Sequence, residues 1–129
     1  MRVTRSSFIR NLARFGSGGG VRSKGGTARL VSCRFVANET RSEGGAVNSD
    51  AAVADLINCL FSGNVAQNYG GGVACAESDV GVINCTFSAN TAAGGDAVAC
   101  SSVSPPETRS TVVVVNSILW DSGSEIYNN

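Results

Sequence analysis

One four-residue word recurs down this chain at an almost constant interval, and little else in the sequence constrains the fold as strongly. Phe-x-x-Asn appears as Phe8-Ile9-Arg10-Asn11, Phe35-Val36-Ala37-Asn38, Phe61-Ser62-Gly63-Asn64 and Phe87-Ser88-Ala89-Asn90, with the phenylalanines 27, 26 and 26 residues apart. Each copy leads into a glycine-rich step that ends on a small apolar pair: Gly18-Gly19-Gly20-Val21, Gly44-Gly45-Ala46-Val47, Gly70-Gly71-Gly72-Val73 and Gly94-Gly95-Asp96-Ala97-Val98. A fifth, degenerate copy is Asn116-Ser117-Ile118-Leu119-Trp120, with Leu119 in the Phe slot. A fixed period of this length marks units that cannot bury their apolar face alone and cover one another by stacking.

The parity of apolar residues shows the kind of unit. Cys33/Phe35, Cys59/Phe61 and Cys85/Phe87 are two residues apart, so each pair shares one face of a strand, the interior one. Leu30, Leu56 and Val82 have the opposite parity, so the chain must turn between them and the cysteines. Asn58, Asn84 and Asn116 occupy that corner, and Asn tolerates the left-handed backbone a sharp bend needs. Ser32 departs from the pattern in the second coil. The Asn column Asn11, Asn38, Asn64 and Asn90, with the double glycine, makes a second corner. Val47/Ser49, Val73/Cys75 and Val98/Cys100 then form a third inward face.

The expected fold is therefore all-β, a single-stranded right-handed parallel β-helix of about five coils of about 26 residues, with three strands per coil. It forms one domain, 1–129, with coils near 3–29, 30–55, 56–81, 82–111 and 112–129. The step from Phe87 to Leu119 is 32 residues, which places a proline-containing loop insertion at 101–110. Like residues then stack in columns about 4.8 Å apart. Each buried Phe contributes about 1.5–3 kcal/mol. Buried Asn38, Asn64 and Asn90 are tolerated only if their amides bond along the column and to turn backbone. Glycine and β-branched content excludes an α-solenoid, and a single in-phase repeat excludes a propeller.

Phe-x-x-Asn paired with Gly-Gly-Ala-Val resembles the repeat of the chlamydial polymorphic membrane proteins and related bacterial β-helix surface proteins, and the coil shape is similar to the wider pectin-lyase-like superfamily. The resemblance implies an exported passenger region that acts in adhesion, located at the cell surface or outside the cell as part of a longer outer-membrane protein. Partners implied are glycan or a cell-surface protein. Enzymes of the superfamily cut polysaccharides with clustered Asp, or with Arg and Ca²⁺, and that is the rival expectation.

Chemistry-bearing residues are sparse. The chain has no His and one Lys, so acid–base catalysis near neutral pH has few candidates, and no catalytic set or cofactor is expected. Asp50, Asp55, Glu77 and Asp79 read as loop acids at unequal offsets; Ca²⁺ held between two loops is the alternative weighed for them. The five cysteines fall in two columns, Cys33, Cys59, Cys85 and Cys75, Cys100. In-register neighbours have parallel Cβ directions, which argues for stacked reduced thiols over disulfides. Trp120 is expected to cover the open end of the last coil. Net charge is zero, yet residues 1–45 hold nine Arg or Lys against two Glu, and 46–129 hold one Arg against eight acids. That asymmetry reads first as scattered solvated arginines on a fibre-like surface, with an acidic partner, phosphate or the acidic end of another copy in head-to-tail self-association as the alternative, and without a basic run it does not suggest nucleic acid. No segment reaches the roughly 18 apolar residues of a membrane span, and none reads as a secretory signal. The expectation is a fragment of a longer repeat protein.

Overall fold

The computed structural model describes residues 1–101 and 109–128; residues 102–108 of the expected insertion lie outside the described part. The described chain contains strands and no helix, so no helix is long and apolar enough to cross a membrane. Its strands form four parallel sheets, each running along the solenoid axis. The first sheet holds Arg2–Thr4, Thr27–Val31, Val53–Ile57, Asp79–Ile83 and Thr111–Val115. The second holds Ser7–Ile9, Arg34–Val36, Leu60–Ser62, Thr86–Ser88 and Ile118–Trp120. A narrow third sheet comprises Leu12–Ala13, Glu39–Thr40 and Val65–Ala66. The fourth holds Val21–Lys24, Val47–Asp50, Val73–Ala76, Val98–Ser101 and Ile126–Asn128. This is the expected parallel β-helix, with one correction: two-residue strands divide what the sequence reads as a single second corner.

Register makes the columns. Phe8, Phe35, Phe61, Phe87 and Leu119 are direct neighbours across successive strands. The Phe rings stack with centroids 4.8, 5.0 and 4.5 Å apart and planes within 10° of parallel. Coil spacing imposes that separation, which lies in the favourable range for aromatic pairs. Phe35, Phe61 and Phe87 are fully buried, beside Leu30, Leu56 and Val82 from the first sheet and Val47, Val73 and Val98 from the fourth.

The corners are built from left-handed residues, again in columns. Between the first and second sheets stand Arg5, Ser32, Asn58, Asn84 and Asn116, all with φ between 48° and 55°. Ser32 thus takes the same conformation as the asparagines it replaces. At the next corner the sequence reading needs correction. The left-handed residue is the one before the recurring Asn, namely Arg10, Ala37, Gly63 and Ala89, with φ of 54°, 53°, 63° and 55°. An alanine held there costs about 1–2 kcal/mol in backbone strain, so something must compensate.

The asparagine column compensates. Asn38 Nδ2 donates to Asn64 Oδ1 at 2.9 Å and to Phe8 O at 2.9 Å, while its backbone N–H donates to the same Asn64 Oδ1 at 3.0 Å. Asn64 repeats the pattern toward Asn90 Oδ1 at 2.8 and 3.0 Å and toward Phe35 O at 3.0 Å. Asn11 joins the top through Asn38 Oδ1 at 2.7 Å. Each interior amide therefore uses both donor hydrogens and its acceptor, which meets the condition for burying it. The third corner relies on glycine: Gly70 has φ 66°, and a Cβ on Gly71 would lie 2.6 Å from the carbonyl of Asp96 in the next coil.

Replacing Asn64 with Ala leaves the backbone N–H and an Nδ2 hydrogen of Asn38 without their acceptor and removes the side-chain donor to Phe35 O, while Asn90 Oδ1 keeps only the backbone N–H of residue 64. We expect Asn64→Ala to cost about 3 kcal/mol or more, at about 1–3 kcal/mol per unsatisfied buried group, and Asn11→Ala at the exposed end to cost far less. Urea midpoints of the two variants measure the difference.

Candidate functional site

The cysteine column does more than fill space. Each Cys follows a left-handed corner residue and returns a hydrogen bond across it to the carbonyl two residues back: Cys33 Sγ to Val31 O at 3.5 Å, Cys59 Sγ to Ile57 O and Cys85 Sγ to Ile83 O at 3.3 Å. A second carbonyl, on the preceding coil, lies within reach of each sulfur, for instance Leu30 O at 3.4 Å from Cys59. The sulfur also accepts, since Cys59 N–H points at Cys85 Sγ at 3.4 Å. At both ends serine takes the position. Ser6 Oγ donates to Thr4 O at 3.0 Å, and Ser117 Oγ to Val115 O at 2.9 Å while accepting from Cys85 N–H at 3.0 Å. The column Ser6, Cys33, Cys59, Cys85, Ser117 is thus one hydrogen-bonding element, with thiols where it is dry and hydroxyls where it is wetter. Hydrogen bonding with Cys85, and then burial, push the Cys59 thiol far above its ordinary value; burial raises Cys33 as well. These three remain free and buried, as read from the sequence.

The other cysteine pair is not reduced. Cys75 and Cys100, neighbours in the fourth sheet, are joined as a disulfide with Cα atoms 4.6 Å apart. The reading of parallel, unreachable Cβ directions treated the strands as flat ribbons. A Cα separation of this size lies within the range a disulfide spans. Ser23, Ser49 and Asn128 occupy the same column in the other coils, so only one pair can form.

The acids do not gather. Asp55 and Asp79 lie in strands of the first sheet and Asp50 ends a strand of the fourth; only Glu77 is a loop residue, at φ 50°. Asp50 is engaged by Arg22 at 3.4 Å and Lys24 at 3.7 Å. Asp55 and Asp79 line one open depression on the outer face of the first sheet, with Gly81 between them. Among the described residues no three His, Cys, Asp or Glu side chains come together as metal ligands would. Asp96 is a local turn variant, as read: it takes the slot of Gly71, and its carboxylate accepts Ala92 N–H at 2.7 Å. Trp120 does not cover the end. Its strand alternates outward, in and outward, it pairs with Ser88, and it is 79% exposed on the lateral face.

Asp121 is the ladder position that the sequence reading missed. It terminates the amide ladder: Asn90 N–H and Nδ2 both donate to Asp121 Oδ1, at 2.7 and 3.2 Å. The degenerate last repeat lacks the usual spacer, so Asp121 sits two residues after Leu119 rather than three, which hid the match. Its own N–H donates to Glu125 Oε1 at 2.8 Å, and the other oxygens, Asp121 Oδ2 and Glu125 Oε2, are buried without a partner among the described residues. Burial first, and the neighbouring Glu125 carboxylate as well, raise Asp121 above its ordinary value.

Sheets stacked in register around one apolar core, with amide, thiol and aromatic columns, define a β-solenoid repeat scaffold. Residues 58–76 match the Chlamydia polymorphic membrane protein repeat, which supports the resemblance carried by Phe61-x-x-Asn64 and Gly70-Gly71-Gly72-Val73. The matched stretch runs from the second-sheet strand of the middle coil into its fourth-sheet strand. No curated protein and no solved structure matches the chain.

Two outcomes follow from these columns. Alkylation of the native, unreduced protein should label none of the cysteines, and after denaturation three of five; breaking Cys75–Cys100, which closes a sequence separation of 25 residues, should destabilise by about 3 kcal/mol. Mass spectrometry and denaturant melts read both. For Asp121, a raised carboxyl means that the folded state binds the proton more tightly than the unfolded chain. Its contribution is complete below the ordinary aspartate value and is lost as pH rises through the raised one. Asp121→Asn keeps the Oδ1 acceptor and removes the charge. It should raise the thermal midpoint at pH 7, with the gain over the parent vanishing as pH falls below the carboxylate range.

Proposed function

We propose that this chain is a non-catalytic, surface-exposed scaffold segment whose outer faces bind glycan or protein in adhesion. The observation that carries the reading is the repeat match at residues 58–76 within an uninterrupted ladder core. Polymorphic membrane protein repeats belong to surface-exposed proteins, which supports a cell-surface location. The design also suits display. The interior columns are alike from coil to coil, so they fix the rod, while the outward positions vary freely: Ser7, Arg34, Leu60, Thr86 and Ile118 form one outward column and Ile9, Val36, Ser62, Ser88 and Trp120 another. Rigid sheets hold such side chains at fixed spacing, which lowers the ordering cost of binding.

A second reading is a polysaccharide-cleaving enzyme or its remnant, favoured by the depression that Asp55 and Asp79 line; Arg29 stands in register beside Asp55, outside that lining. Glycosidic cleavage by two carboxyls needs both across a bound sugar. The two readings separate in one comparison. The purified chain is placed on a glycan and cell-surface array and, in parallel, incubated with pectin or alginate with and without calcium. Saturable array binding with no release of unsaturated uronides is the expected outcome. Calcium-dependent release that Asp55→Asn abolishes would reverse the assignment.

A further inference from the structure

The first two coils carry a concentration of positive charge that the rest of the fold leaves uncompensated. Residues 1–38 contain seven Arg and one Lys and no acid. Arg22 and Lys24 on the fourth sheet are met by Asp50. Among the described residues no other cation forms an ion pair. Arg2 and Arg29 are direct in-register neighbours on the outer face of the first sheet, and both are exposed. Like charges directly opposite on adjacent strands destabilise the sheet. Asp55 is the next residue in that column but makes no ion pair with Arg29. Arg5 adds a third charge at the corner, where its backbone is left-handed with φ 48°. Arg2 and Arg5 flank an open depression of about 280 Å³, floored by Thr4, Val31 and Ser32.

We infer that Arg2, Arg5 and Arg29 form a binding site for the sulfate groups of a linear sulfated polysaccharide. The inference rests on the surface-binding reading and names its ligand class. Arg2 and Arg5 line one concave patch together with two hydroxyl-bearing residues, Thr4 and Ser32, and Arg29 stands in register beside Arg2 on the neighbouring strand. Guanidinium forks recognise tetrahedral oxyanions through paired, charge-assisted hydrogen bonds. A bridging anion would also remove the Arg2–Arg29 repulsion that the unliganded sheet carries. A polysaccharide fits better than nucleic acid because the lining offers no aromatic ring for base stacking. It fits better than a carboxylate-only glycan because the guanidiniums approach from a sheet face and a corner, matching an oxyanion with several equivalent oxygens.

The test is binding of a fluorescent heparin oligosaccharide to the full chain, followed by anisotropy at low and at physiological salt. The expected result is saturable binding that weakens with salt and falls at least about tenfold in Arg2→Ala/Arg5→Ala/Arg29→Ala. Arg22→Ala/Lys24→Ala, whose charges are already met by Asp50, should change it little. Circular dichroism melts of both variants establish that the solenoid is intact. Equal affinity for desulfated heparin or for duplex DNA of matched charge would overturn the inference, as would equal losses in the two variants. If array binding persists in the triple-Arg variant while heparin binding is absent from the parent, the adhesive reading stands and this site falls.

Discussion

An amide buried at a bend must find partners for two donor hydrogens and an acceptor, and in this fold it finds them on the neighbouring coils, on the copies of itself before and after it and on a Phe carbonyl. That requirement ties the chain to its period. Asn38 and Asn64 bond forward to the next amide, Asn90 bonds forward to the Asp121 carboxylate, and all three bond back to a Phe carbonyl. A coil one residue too long or too short would therefore strand an amide and rotate every outward side chain inward. The Phe stack adds burial without direction; the amides add direction with little net burial. Together they place strands in register closely enough that a corner residue such as Ala37 or Ala89 can be kept left-handed.

Columns also explain what the sequence could and could not disclose. Period, inward faces, the Phe stack and the corner asparagines Asn58, Asn84 and Asn116 were legible because in each column the same chemistry recurs at one spacing. The left-handed Ala37, Ala51, Glu77 and Ala89 were not, since no side-chain property marks them and the strain is met by neighbours. The Cys75–Cys100 bond was hidden by treating strands as flat, and the short third sheet by its two-residue strands. Asp121 escaped because the last repeat drops one residue, shifting the ladder partner out of phase while the geometry keeps it in place.

The same columns change chemistry in the first and last coils of this sequence. Moving outward along the corner column, thiol gives way to hydroxyl at Ser6 and Ser117. Along the amide column, Asn gives way at one end to Asp121, which accepts from Asn90 but has no amide hydrogen to pass on. A ladder that ends in a carboxylate cannot continue through the same hydrogen bond into another amide below it. Charge follows the same polarity, with cations concentrated in the first two coils and Asp121 and Glu125 in the last. Head-to-tail association through opposite charge is thus opposed at the amide column, where Asp121 would meet the unused acceptor of another copy's Asn11. The long-range attraction between ends acts in solvent and is screened by salt, whereas two acceptors brought together at a buried corner are not. The arginines of the first coils are therefore better matched to an anion that lies along the lateral face than to the acidic end of a second solenoid.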